Sequence, residues 1–383
     1  MEIKNLSFIY TIMAFNFDRL MKSERTGRET APKYLYVDIE IPNTSGKQQP
    51  ISYNESRTSS YIDVASDYYI SIVKFSLPTF NLPLFIPMIR NPSSSINETS
   101  YSFTMTYKTY TKQTYLNYVS PNLDAPAPSS SSTQNLTSDY YFVYSYNYVV
   151  NMLNDTLKAC YDDLDTLVTA GSDTLPSTYC PFFVFDPSSK SLVAYFDKDG
   201  YDTGLSNPIS VYCNEEMYNL LCGFEFIRNR SNGDGKTYRF NVEQQSLGNL
   251  SYFDDYTAIV MSEEFTSVSN WSPLRSVVFT SQRLPIVGTL VSRNQSFGSA
   301  NSSFQSSVSS ASQNIITDMD ISEFDAQLRY APFFYRLIDL VGDGSIESLD
   351  INVYWKDIYG NMYPFQLPNL SSCFIKLLFL RKY

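Results

Sequence analysis

The strongest conformational constraint in this 383-residue chain sits near its end. In Leu349–Asp357, the apolar residues Leu349, Ile351, Val353 and Trp355 alternate with Asp350, Asn352, Tyr354 and Lys356. A period of two puts the apolar set on one face, and only a strand gives that face a common direction. Asp350, Asn352 and Lys356 are then expected to look away from the core. Asp357-Ile-Tyr-Gly360-Asn361 reads as a turn, Met362–Leu367 as a returning strand and Phe374–Leu380 as a last strand before Arg381-Lys382-Tyr383. A chain that ends on a core strand has its sheet tied together by its own terminus.

The same pattern recurs upstream. Leu35, Val37, Ile39 and Ile41 share one face of Tyr34–Ile41, with Asp38 and Glu40 on the other. Tyr68–Leu77 is rich in β-branched and aromatic residues, which suit a pleated surface, and Pro78, Pro83 and Pro87 punctuate the apolar loop that follows. Ser102–Thr109 and Thr114–Val119 read as a pair. Short strands are expected near Phe182–Phe185, Ser191–Phe196, Ile209–Tyr212, Arg275–Thr280, Leu284–Val291 and Tyr335–Leu340. Residues 120–138, with Pro121, Pro126, Pro128 and serines 129–132, form a linker, and Asn294–Gln313 a long polar loop. One stretch changes period. Val149, Val150, Leu153, Leu157, Tyr161, Leu164 and Val168 recur at steps of three and four, which predicts an amphipathic helix near 145–169 closed by Gly171. A brief helix is expected at Glu215–Leu221. Many strands, one good helix and long loops predict an all-β sandwich or barrel with insertions. Periodicity does not separate one elaborated jelly roll from two in tandem.

Histidine is absent. No Ser-His-Asp or Cys-His nucleophile pair and no His-ligated zinc site can therefore exist. The five cysteines are odd in number and none has C-x-x-C spacing, so they read as reduced thiols packed like small hydrophobes. The net charge of −11 argues against direct binding of nucleic acid, which needs cations to neutralise phosphates. Residues 1–33 differ. Lys4, Arg19, Lys22, Arg25, Arg28 and Lys33 face Glu2, Asp18, Glu24 and Glu29, a balance of +2 that leaves −13 for the remainder. The apolar run Leu6–Phe15 is about half a membrane span, and Glu2 spoils the basic start of a signal peptide. Residues 1–33 read as an arm that docks on a partner.

The acidic motifs are weak. Asp197-Lys-Asp199-Gly200-Tyr-Asp202 resembles part of a calcium loop, but Gly200 comes too early and position 206 is Ser, so an acidic hairpin turn is expected. Asp339–Asp350 is another acidic turn, with Gly342 and Gly344 suited to a tight bend. Asp254-Asp255 and Glu263-Glu264 are paired carboxylates of the type a glycosidase needs, with nothing to show that either faces a cleft. Phosphate-binding and nucleophile-elbow motifs are missing. No catalytic, cofactor-binding or metal-ligating residue is assigned, no cofactor is expected, and the chain reads as a non-enzyme.

Four segments together resemble a known family. They are Tyr68–Pro87, the helix after Tyr144, Trp271–Pro285 and Tyr335–Lys382. In these the chain is similar to the minor capsid, or penton, proteins of virophages such as Sputnik and of Polinton-like viruses. The resemblance implies a structural protein of a DNA virus shell, located in the virion and assembled in the host cytoplasm. It implies a jelly roll that forms homopentamers at icosahedral vertices and meets a double-jelly-roll major capsid protein, here through the arm. The expected division is an arm at 1–33, a jelly-roll base at 34–128 and 273–383, and an inserted mixed segment at 129–272. The length also fits a compact double jelly roll, hence a major capsid protein. A carbohydrate-binding β-sandwich, with exposed aromatics in a groove, and a carboxylate glycosidase are the rivals from other classes.

Overall fold

A computed structural model describes residues 33–382 apart from 91–94, 123–124, 129–138, 230–234, 246, 288–313, 322–326, 333–334 and 359. The arm, the serine run and the loop at 294–313 lie outside the described residues. The chain opens with β1 (Tyr34–Asn43), β2 (Gln49–Pro50), β3 (Ser52–Ser56) and β4 (Tyr68–Pro78). Then come β5 (Glu98–Tyr107), β6 (Tyr110–Asn117), helix α1 (Tyr146–Ala170), β7 (Phe182–Asp186), β8 (Ser191–Asp197), α2 (Lys198–Tyr201), β9 (Ser210–Cys213) and α3 (Glu215–Leu221). The middle closes with β10 (Phe226–Arg228), β11 (Tyr238–Phe240), β12 (Leu250–Tyr252) and β13 (Thr257–Ser262). The last third holds β14 (Leu274–Thr280), β15 (Ile315–Asp320), β16 (Gln327–Tyr330), β17 (Ile338–Asp339), β18 (Ser348–Asp357), β19 (Met362–Pro364), β20 (Gln366–Leu367) and β21 (Ser371–Arg381).

Two antiparallel sheets form the base. One has the order β1-β21-β4-β16, with β17 also on β4; the other runs β15-β14-β18-β19, with β3 also on β18. Taking β16 and β17 as one interrupted strand, the base strands in chain order are β1, β3, β4, β14, β15, β16–β17, β18 and β21. The first sheet then carries positions one, eight, three and six, and the second two, seven, four and five. This alternation between two sheets is the double Greek key of a jelly roll. Val37, Ile39, Phe75, Phe279, Ile351, Val353, Ile375 and Phe379 meet between the sheets.

The alternation read from Leu349–Asp357 is present: Leu349, Ile351, Val353 and Trp355 are buried in β18. The opposite face departs from expectation at Asp350, which is buried as well. Its carboxylate accepts Ser281 Oγ at 2.5 Å, Gln282 N at 2.9 Å and Arg283 N at 2.9 Å. The charge is tolerated inside because three donors from the turn after β14 satisfy it.

Residues 79–273 fill the single connection from β4 to β14. They build their own two sheets, β10-β11-β9-β5-β6 and β12-β13-β8-β7, around a separate apolar cluster. Neighbours within these sheets are mostly hairpins (β5/β6, β7/β8, β10/β11, β12/β13). That is not the wrapped order of a second jelly roll, so the tandem alternative does not hold. One expected boundary also moves. β5 and β6 fall within the expected base span of 34–128, but β5 pairs with β9, and Phe103, Met105 and Leu116 belong to the inserted core. Hairpin periodicity marks a strand without saying which sheet will take it.

Helix α1 lies against β5, β6 and β7. Its Asn154 donates to Phe183 O at 2.9 Å and accepts from Phe183 N at 2.8 Å, so a side chain occupies a backbone position of edge strand β7. Cys160 Sγ lies 3.4 Å from Lys112 O of β6. The helix thus covers the face of β5 and β6 and blocks the β7 edge, which would otherwise invite pairing with another chain. The Asp197–Asp202 motif is a capped helical turn instead of a hairpin: Asp197 accepts Asp199 N at 3.2 Å and starts α2. The strands read at Leu284–Val291 and Tyr335–Leu340 shrink to an isolated bridge, Ile286–Leu340, and the two-residue β17 among the described residues.

Truncating Trp355 to Ala is expected to cost about 3–5 kcal/mol, as for other large aromatic cavities. Asp350→Ala should cost about 1–3 kcal/mol, because three donors lose their acceptor in a buried place. Urea unfolding of both variants checks this. A Trp355→Ala protein with wild-type stability would contradict the strand and the sandwich built on it.

Candidate functional site

Several of the candidate side chains are occupied by the fold. Glu263, half of one carboxylate pair, turns inward. Its Oε2 accepts Leu192 N at 2.8 Å, and its Oε1 accepts from the Ser267 hydroxyl and from Ser267 N at 3.3 Å. Burial raises its pKa. Glu264 N donates to Gly223 O. Asp254 and Asp255 sit exposed at the tip between β12 and β13. Neither pair forms the opposed carboxylates a glycosidase uses. At the Asp339–Asp350 turn, Gly342 takes φ +91°, and Asp339 pairs with Lys382 at 2.7 Å. Among the described residues no group of three or more Cys, Asp or Glu is placed to hold a metal ion. All five cysteines are free, and Cys160, Cys213 and Cys373 are buried. Burial lifts Cys160 to about 11 and Cys180 and Cys373 to about 12, the reverse of what an attacking thiolate requires.

Aromatic side chains are numerous on the inserted sheets, yet they face one another. Tyr179 stacks on Tyr256 at 4.1 Å, Tyr256 on Phe253 at 4.8 Å, and Phe182 on Tyr195 at 4.9 Å. Phe182 and Tyr195 both meet Phe253 edge-on. A sugar ring stacks on an open aromatic face, and these rings cover each other's faces. Their geometry therefore fits a ladder that stiffens the sheet, and does not favour the carbohydrate-binding reading.

Two places do present organised surface. The first is the junction of base and insert. Val143 bridges Phe85, with Leu84 N donating to Val143 O at 2.8 Å and Val143 N to Phe85 O at 3.0 Å. Phe142 meets Trp355 edge-on at 6.1 Å on the base side, while Phe85 meets Trp271 at 6.3 Å on the insert side. The chain's only two tryptophans thus flank one crevice of about 130 Å³, whose lining includes Phe85, Met88, Tyr101 and Ile358.

The second is on β3. Glu55 accepts Arg57 Nε at 2.9 Å, Tyr61 OH at 2.6 Å and the Tyr53 hydroxyl. The Arg57 guanidinium lies 4.5 Å over the Tyr61 ring. The Arg57 hydrogen bond first, then those from the two tyrosines, hold Glu55 down at about 2. Tyr53 is pushed up to about 12 by burial and by Glu55. The sequence carried a signal for this group: Tyr53, Glu55 and Arg57 alternate, and so share a strand face.

The comparisons with known proteins bear directly on role. The family described as Sputnik minor capsid protein V18/19 matches residues 35–381. The chain belongs to that family. Within it, this minor capsid protein is 33% identical over 148 residues to the uncharacterized protein V18 of Sputnik virophage, covering 36% of this chain and 89% of that one. It is 28% identical over 219 residues to structural protein V19 of the same virophage, covering 52% and 94%. A chain in the 3.5 Å cryo-EM structure of the Sputnik virophage superposes with a TM-score of 0.77 at 25% identity, covering 92% of this chain and all of that one. A mavirus penton protein shares the fold at TM-score 0.62 and 15% identity, again over 92% of this chain. The role of this minor capsid protein is structural and not enzymatic. It resides in the virion and assembles with other capsid proteins.

Because the folded pKa of Glu55 lies below its ordinary value of 4.5, its contribution to stability is full above about pH 4.5. That contribution fades as pH falls through about 2. Carboxyl NMR should place the Glu55 midpoint near 2, and Arg57→Ala should move it upward toward 4.5. A wild-type midpoint near 4.5 would contradict the network.

Proposed function

We propose that this minor capsid protein is a penton subunit: a homopentamer at the icosahedral vertex that meets the major capsid protein through its N-terminal arm. One observation carries the reading. The chain holds a single jelly roll, where a double-jelly-roll major capsid subunit would hold two. The similarity in fold to the mavirus penton protein over nearly the whole chain supports it. Assembly in the host cytoplasm belongs to the same proposal and accords with five free cysteines.

The strand pairing suggests a revised division of labour. Residues 34–87 and 274–381 form the base that packs into the shell. Within the 79–273 connection, residues 88–273 form a second sandwich raised on one end of it, with Phe85 also reaching its core. The arm, 1–33, precedes the first base strand and carries the opposite charge balance to the body. Lys33 belongs partly to the fold, since its carbonyl accepts Arg381 N at 3.0 Å.

Electron micrographs of the purified protein should show five-fold rings. Deleting residues 1–32 should leave thermal melting unchanged and abolish co-purification with the major capsid protein of the same virus. A large loss of stability, or undiminished co-purification, would contradict the role of the arm. Rings of another symmetry would contradict the penton assignment.

A further inference from the structure

Leu370, in the turn between β20 and β21, combines two unfavourable properties. It is 84% exposed, more than any other large hydrophobic residue among those described. It also has φ +57°, a backbone region that disfavours leucine and suits glycine or asparagine. Among the described residues, no side chain covers Leu370.

The turn is nevertheless held firmly. Leu370 N donates to Asn43 O at 2.9 Å. Asn43, fully buried, sends Nδ2 to Leu367 O at 2.8 Å, to Pro368 O at 3.1 Å and to Lys47 O at 2.7 Å. Ser371 Oγ donates to Pro368 O at 2.6 Å. A strained, exposed and rigidly mounted apolar side chain has the properties of a binding knob: its ordering cost is met before contact.

The same molecule carries a socket. The junction crevice is apolar, with Phe85, Tyr101, Trp271 and Trp355 in its lining and Met88 and Ile358 exposed at 41% and 55%. Its volume of about 130 Å³ suits one branched aliphatic side chain; a cavity of roughly 150 Å³ takes up a benzene. Knob and socket lie at one level of the base. Asn43 pairs with Ser371 beside Leu370, and Leu274 pairs with Asp357 beside the crevice. Both are at the end where β4 leaves for the insert and β14 returns. In a cyclic ring the two halves of a head-to-tail contact must lie at the same height along the axis. A knob on one sheet and a socket at the ends of β14 and β18 on the other meet this condition in a ring whose axis runs along the base strands.

We infer that Leu370 of one copy inserts into the Trp271–Trp355 crevice of the next, and that this contact closes the ring. The inference rests on the homo-oligomer reading above and names its contact residues. Mass photometry of the full-length protein tests it. Leu370→Gly should abolish the ring species while leaving the melting temperature unchanged or higher, since glycine accepts the positive φ. Leu370→Cys combined with Ile358→Cys should give, on oxidation, a ladder of covalent multimers that neither single variant gives. Rings undiminished in Leu370→Gly, or an assembled double variant without a ladder, would overturn the contact. A wild-type protein that stays monomeric would instead remove the homo-oligomer reading, and this contact with it.

Discussion

Strand β21 pairs with β1 along one edge and with β4 along the other, so the first base sheet has the end of the chain near its centre. Cys373, Ile375, Leu377 and Phe379 enter the core from it. Beyond the strand, Arg381 reaches Asp67, and Lys382 reaches Asp339 and the Leu340 carbonyl. The base therefore cannot close before β21 is in place, and every base contact to β21 from β1 or β4 spans about three hundred residues of sequence. Such loops slow folding more than they weaken the folded state, because closure entropy grows only logarithmically with length. The same feature lets one loop of the jelly roll carry a whole second sandwich at little thermodynamic expense.

That architecture divides the work. The base offers two antiparallel sheets packed on one apolar core. The insert has its own core, and α1 caps its β7 edge. The two meet at a junction where Phe142 and Phe85 each point a ring at a different tryptophan. Three carboxylates are structural fixtures: Asp350 binds loop amides, Glu263 binds the Leu192 amide of β8, and Asp357 accepts Asn361 N at 2.7 Å to hold the β18–β19 turn.

Legibility in the sequence followed the physics of each element. β1, β4, β18 and β21 were readable because a long, half-buried strand must alternate or run apolar, and α1 because its buried stripe repeats at helical spacing. The missing histidines removed whole reaction classes. Asp350 misled because polarity predicts exposure only until a turn supplies donors, and the donors at 281–283 lie far away in sequence. β5 and β6 were found as strands yet assigned to the wrong core, since partner choice depends on contacts with β9 about a hundred residues on. Short strands such as β10–β12 carried too few residues for any period to show. The Glu55 group was visible as an alternation but needed the fold to bring Tyr61 to it.

Native-state hydrogen exchange on the amides of Cys373–Phe379 tests the central role of β21 most directly. If the terminal strand locks the base, these amides should exchange only with global unfolding of the base, as slowly as the inner amides of β4 and β18. Exchange at the fast rates of a fraying chain end, while β4 and β18 stay protected, would contradict the account.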